Sequence, residues 1–176
     1  MKVLAIDPGI VNVGVASCEF TYGNVVNYSA GTVSIVPTIK RLSSQKQMEL
    51  IKDWININEK FFDLFDCIII EKQMRLVFNV FVLLFELKYP TKMYVVSSRK
   101  ATNYIKDRLG YLLTKEVKQK RNYEENKQFV TDIYESFFDK HPRTPRIHHT
   151  ADALKLCDYY LLTVGNMPHS QLLINK

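Results

Sequence analysis

The chain's pattern predicts an α/β fold, a mixed five-stranded sheet flanked by helices. Three observations predict it. Three strand-like runs lead the sequence, helix-like and strand-like segments then alternate, and the continuous apolar run "CIII" at 67–70 suits a strand covered on both faces. A length of 176 residues fits one domain over 1–176, long enough to bury a sizeable core.

The elements follow in order. Residues 2–6 and 11–18 flank "DPGIVN" and predict two strands joined by a tight turn. Residues 25–36 predict a third strand, interrupted near Ala30–Gly31. From Leu42 to Phe65 the pattern is helical, with Met48, Ile51, Ile55 and Phe62 recurring at roughly helical spacing. "CIIIEK" at 67–72 is the fourth strand. The segment 74–88, "MRLVFNVFVLLFELK", reads as a helix apolar nearly all round, with more hydrophobic surface than one sheet face can cover. Pro90 ends it. "KMYVV" at 92–96 is the fifth strand, and a helix begins near Ser98 and stops at Gly110. Residues 111–121 read as a basic loop. A helix over 123–138 carries Phe129, Val130, Ile133 and Phe137 on one face, "HPRTPR" breaks it, and a last helix runs from about 148 to 164.

Composition narrows the class. Hydrophobic residues at 47% and charged residues at 24% are ordinary for a soluble globular protein. The longest uninterrupted apolar run, Val80 to Phe85, is far too short to span a bilayer, and the N-terminus reads as carrying no signal peptide. Cys18, Cys67 and Cys157 have neither disulfide nor zinc spacing and suit a reducing, intracellular compartment. The net charge of +6 is unevenly placed: Arg99 to Arg121 holds eight basic residues against two acidic ones, and "KHPRTPRIHH" forms a second cluster. Two such clusters, with Tyr104, Tyr111 and Tyr123 nearby, fit a surface for a phosphate backbone.

The carboxylates are the sharper signal. Asp7 and Glu71 each follow an apolar strand, and if those strands are parallel neighbours the two lie one strand spacing apart, ~5 Å. Such a pair repels itself unless a cation intervenes, and a divalent metal suits an all-oxygen site. Asp7 also has a simpler reading, because Asp-Pro-Gly is a favoured turn sequence. Glu71 opens "EKQMR", which packs four polar groups at the strand's rim. On the last helix His149 and Asp152 are three apart and share a face beside an apolar stripe of Thr150, Leu154, Cys157 and Leu161. Taken alone, the pair reads first as ordinary residues of a helix N-terminus, where the dipole favours an Asp. Asp158, nearer the stripe, is the rival carboxylate.

Together, "AIDPGIVNVGVA", "IIIEKQ" and "HHTADAL" resemble the RuvC-type Holliday-junction resolvases. The similarity is closest to the branch of poxviruses and other large DNA viruses, where the glutamate is likewise followed by x-Gln. It runs from residue 2 to about 164. The resemblance implies a ribonuclease H-like fold, a homodimer, and paired nicks across four-way DNA junctions. It implies two magnesium ions per active site, for which manganese would substitute. Carried over, Asp7, Glu71 and Asp152 would be metal ligands, with Asp7 bridging and Gly9 giving phosphate and chain room to approach. His149 stands where most members have a further Asp, although some bacterial members carry His. Lys127 in "NKQFV" and Lys106 in "YIKDRLG" fall where the family has a catalytic or DNA-contacting lysine. Lys118, Lys120, Arg121 and Arg146 would join Lys106 and Lys127 against DNA, and the apolar helix 74–88 would form the two-fold interface.

Three other readings stay open. Actin-like ATPases also begin with an Asp-x-Gly phosphate loop, but they need a second lobe that this length does not supply. A non-catalytic junction-binding module would not require the three carboxylates. A ribonuclease acting on RNA–DNA hybrids, or a nuclease on other branched DNA, would share them.

Overall fold

Apolar alternation in two neighbouring strands organises the molecule. The computed structural model describes residues 1–21, 24–36, 38, 42–74, 76–109, 123–144 and 147–164. Its elements are β1 (Lys2–Asp7), β2 (Val13–Thr21), β3 (Asn24–Val33), α1 (Ser44–Ile57), α2 (Glu59–Phe62), β4 (Cys67–Lys72), α3 (Leu76–Lys88), β5 (Met93–Ser97), α4 (Ser98–Leu109), α5 (Tyr123–Ile133), α6 (Glu135–Lys140) and α7 (His148–Thr163). One sheet has the order β3-β2-β1-β4-β5. β1, β2 and β3 pair antiparallel, whereas β4 joins β1, and β5 joins β4, in parallel. The mixed five-stranded sheet expected of the sequence is present.

Successive side chains of a strand point to opposite faces. In β1, Val3 and Ala5 enter one core while Leu4 and Ile6 enter the other. In β4, Cys67 and Ile69 share the first core, and Ile68 and Ile70 the second. The second core is closed by α1, α2 and α3 through Ile51, Ile55, Phe62, Phe81 and Phe85, with Trp54 edge-on to Phe62 and Phe81. The first is closed by α5, α6 and α7. Continuing the alternation one step puts Asp7 and Glu71 on the α7 side, at the carboxyl ends of adjacent parallel strands.

α7 is the helix that meets them. Every residue from Thr150 to Leu162 is buried, so the stripe read from sequence is a helix enclosed on all sides. Gly14, opposite Asp7 in the β1–β2 ladder, lets it sit close. A Cβ there would lie 1.9 Å from the carbonyl oxygen of His149. Gly9 serves its own turn, since a Cβ would lie 2.0 Å from the carbonyl oxygen of Asn12. That tight turn explains the glycine without a phosphate.

Other boundaries differ from expectation. β3 is continuous through Ala30 and Gly31, which pair with Ala16 and Val15, and the register irregularity lies between Glu19 and Phe20. The helix expected over 42–65 is two, because the Asn58 side chain donates to the Trp54 carbonyl at 2.7 Å and closes α1. Met48 lies exposed, outside the buried Ile51–Ile55 face. The helix expected over 123–138 breaks at Tyr134, wholly buried, whose hydroxyl donates to Asp158 at 3.1 Å. α3 buries Phe81 and Phe85 but leaves Leu76, Leu83 and Leu87 exposed, so its apolar surface does exceed what the sheet covers. Among the described residues no helix is long and apolar enough to cross a membrane.

Gly14→Ala should therefore lower stability by about 1–3 kcal/mol, the usual cost of overpacking a closed interior. Thermal melts of the two proteins measure it. An unchanged midpoint would show that the first turn of α7 can move off β2 freely.

Candidate active site

At the carboxyl ends of β1 and β4 the structure gathers Asp7, Glu71, His149, Asp152 and Lys127 within one hydrogen-bonded cluster. Asp7 Oδ2 meets His149 Nδ1 at 2.7 Å, and Asp7 Oδ1 accepts from Gln73 Nε2 at 3.1 Å. Neither bond belongs to the turn that follows, so the carboxylate of Asp7 is not a turn cap. The same Gln73 amide reaches Glu71 Oε1 at 3.2 Å and bridges the two strand-end carboxylates. Asp152, three residues after His149 on α7, accepts from Lys127 of α5 through Oδ2. Its Oδ1 accepts from Lys155 Nζ at 2.6 Å.

Two of these residues were not singled out from sequence. Gln73 was visible only as part of "EKQ". Lys155 is wholly buried, bonded to Ser98 Oγ at 3.1 Å, and 3.6 Å from Glu71 Oε2. Its signal was present in "ALKLC": one lysine among apolar neighbours, in register with Asp152, on a helix otherwise fit for burial.

Burial sets the electrostatics. It raises the carboxyl of Asp7 above the usual range, against the bond from His149. It pushes Glu71 to about 7, with Lys155 pulling the other way and Asp7 and Asp152 adding repulsion. Asp152 feels the same desolvation, but the Lys155 and Lys127 ammoniums outweigh it and hold it below the ordinary carboxylate range. His149 is raised, chiefly by its bond to Asp7.

The donor set suits a divalent cation. Glu71 Oε2 is buried without a hydrogen-bond partner, with the Lys155 ammonium 3.6 Å away. An orphaned buried oxygen of this kind calls for a cation. As the side chains stand, no three His, Cys, Asp or Glu among the described residues are grouped to hold a metal, and lysine ammoniums lie against both oxygens of Asp152.

No protein-family model and no curated protein matches the chain. Solved structures do. The fowlpox virus Holliday junction resolvase superposes with a TM-score of 0.56 at 13% identity, covering 93% of this chain and 99% of that one. The yeast mitochondrial Holliday junction resolvase superposes at 0.57 and 14% identity, covering 90% and 78%. The chain has the fold of these Holliday junction resolvases. At such identities the likeness is one of fold, and it agrees with the ribonuclease H-like architecture that the three motifs implied.

The remaining sequence candidates fall in different places. Asp158 lies away from the cluster, accepting from the hydroxyls of Tyr28 at 2.8 Å and Tyr134 at 3.1 Å, where it ties β3 and the α5–α6 break to α7. Lys106 is on α4. Lys118, Lys120, Arg121 and Arg146 lie outside the described residues.

The Asp7–His149 pair can be read directly. In metal-free protein the His149 imidazole should titrate above the ordinary histidine value of about 6.5, because Asp7 favours its protonated form. In Asp7→Asn the midpoint should fall below that of wild type. Proton NMR of the ring resonances against pH checks this, and equal midpoints would mean the bond does not govern the imidazole.

Proposed function

We propose that the chain is a structure-specific DNA endonuclease that resolves four-way junctions by metal-dependent phosphodiester hydrolysis. The observation that carries it is the convergence of Asp7, Glu71, His149, Asp152 and Lys127 at the carboxyl ends of β1 and β4, where open α/β sheets place their ligands. The shared fold of viral and mitochondrial junction resolvases supports the substrate class. Magnesium or manganese would be held by Asp7, Glu71 and His149, and when bound it supplies a Lewis acid for the phosphate and a nucleophile at neutral pH.

The chain's own residues do the positioning. Gln73 keeps the carboxylates of Asp7 and Glu71 oriented together. Nδ1 of His149 and Oδ2 of Asp7 face each other at 2.7 Å, and a bound metal would replace the proton that they share. Lys127 sits at the rim with 18% of its side chain exposed, able to turn from Asp152 towards the scissile phosphate as negative charge builds. Water oxygen bonds to phosphorus, the bond to the 3′ oxygen breaks, and that oxygen leaves as a hydroxyl. The net charge of +6, with exposed Arg99 and Lys100 at the start of α4, suits a phosphate backbone.

A labelled synthetic four-way junction, a linear duplex and an RNA–DNA hybrid, each with magnesium or manganese, test the reading. Wild type should nick opposite strands of the junction and spare the others. Asp7→Asn should lose roughly 100-fold or more in rate while still binding the junction. Cleavage of hybrid or duplex at the junction's rate would overturn the substrate, and an active Asp7→Asn would remove that residue from the site.

Paired nicks need two sites, and the exposed Leu76, Leu83 and Leu87 of α3 support a homodimer through that helix. Leu83→Glu should convert a dimer to a monomer of half the mass in light scattering. A dimer that survives the charge uses another face.

A further inference from the structure

We propose that the ammonium of Lys155 is a resident cation of the active site, which takes the place between Glu71 and Asp152 and limits each chain to one divalent ion. This rests on the metal-dependent reading above and departs from the two ions implied by the resemblance. Lys155 is 1% exposed, and its ammonium donates to two oxygens and pairs by charge with a third. They are Asp152 Oδ1 at 2.6 Å, Ser98 Oγ at 3.1 Å and Glu71 Oε2 at 3.6 Å. The lysine lies one helical turn from Asp152, so the enclosed helix that delivers the carboxylate also delivers its counter-ion.

The two lysines on Asp152 differ in depth. Lys127 stands at the rim and can leave its carboxylate when a phosphate arrives. Lys155, enclosed between α7, α4 and the end of β4, has nowhere to go while α7 stays packed. Asp152 Oδ1 thus stays committed to an ammonium, and Asp7, Glu71 and His149 remain to hold a metal.

Charge balance points the same way. With the three carboxylates ionised and His149 neutral, as ligation of a metal requires, the two ammoniums leave the cluster one net negative charge. One divalent ion and one phosphodiester bring it to neutrality. A second divalent ion would leave two positive charges uncompensated in a buried site, which is costly.

The experiment counts manganese by electron paramagnetic resonance in metal-free wild type and in Lys155→Met, each titrated to saturation. Wild type should hold one ion per chain and the variant two, and manganese should raise the melting temperature of the variant by more than that of wild type. Two ions in wild type, or none, would overturn the proposal. So would a variant that folds and still holds one. If Lys155→Met does not fold, Lys155→Gln, which keeps a buried hydrogen-bond donor, replaces it, and the wild-type count decides by itself. A count of one in a protein that cuts no junction would leave this inference standing and remove the proposed substrate.

Discussion

Carboxylates buried at the ends of two parallel strands must be met by positive charge at fixed places, and most of the molecule is arranged around that requirement. The parallel pairing of Ile6 with Ile70 fixes Asp7 and Glu71 side by side. Apolar alternation turns both towards α7, and burial then makes their mutual repulsion expensive. Solvent can relieve little of it. Relief comes from α7, which sets His149 against Asp7 and Lys155 near Glu71, and from α5, which brings Lys127 to Asp152. Gly14 belongs to the same arrangement, because only a residue without a Cβ allows the first turn of α7 to approach β2.

Much of this was legible in the sequence. Apolar runs ending in Asp7 and Glu71 identify strand ends, because a charged residue after consecutive apolar positions marks where a strand leaves the core. The helical segment between those strands allows the parallel crossover that the structure has. Less legible were features decided by tertiary contact. Nothing local in "FVTDIYESFF" marks Tyr134 as a break, since the residue is tied by its hydroxyl to Asp158 on α7. Asn58 could have been suspected as a helix terminator. Lys155 escaped because lysines are ordinarily solvated, and its burial follows from the enclosure of α7 on every side, which composition does not reveal. The basic segment 111–121, which carried half of the residues expected against DNA, lies outside the described residues.

Asp152 and Asp158 lie six positions apart on one helix, both wholly buried, and their partners separate the functional reading of one from the structural reading of the other. Asp158 accepts from two phenols, whose own ionisation is pushed up by burial and by that carboxylate, so both remain hydrogen-bond donors to it. Asp152 accepts from ammoniums and belongs to a cluster in which Glu71 keeps an unpartnered oxygen and Asp7 shares an imidazole. Neutral donors satisfy the oxygens of a buried carboxylate and call for no ligand. Cations, repelling carboxylates and an oxygen without a hydrogen bond together mark a candidate functional site. Burial is common to both aspartates, so burial alone does not mark a reactive centre here. The difference lies in the partners, which set Asp152 within the candidate site and Asp158 within the packing of α7.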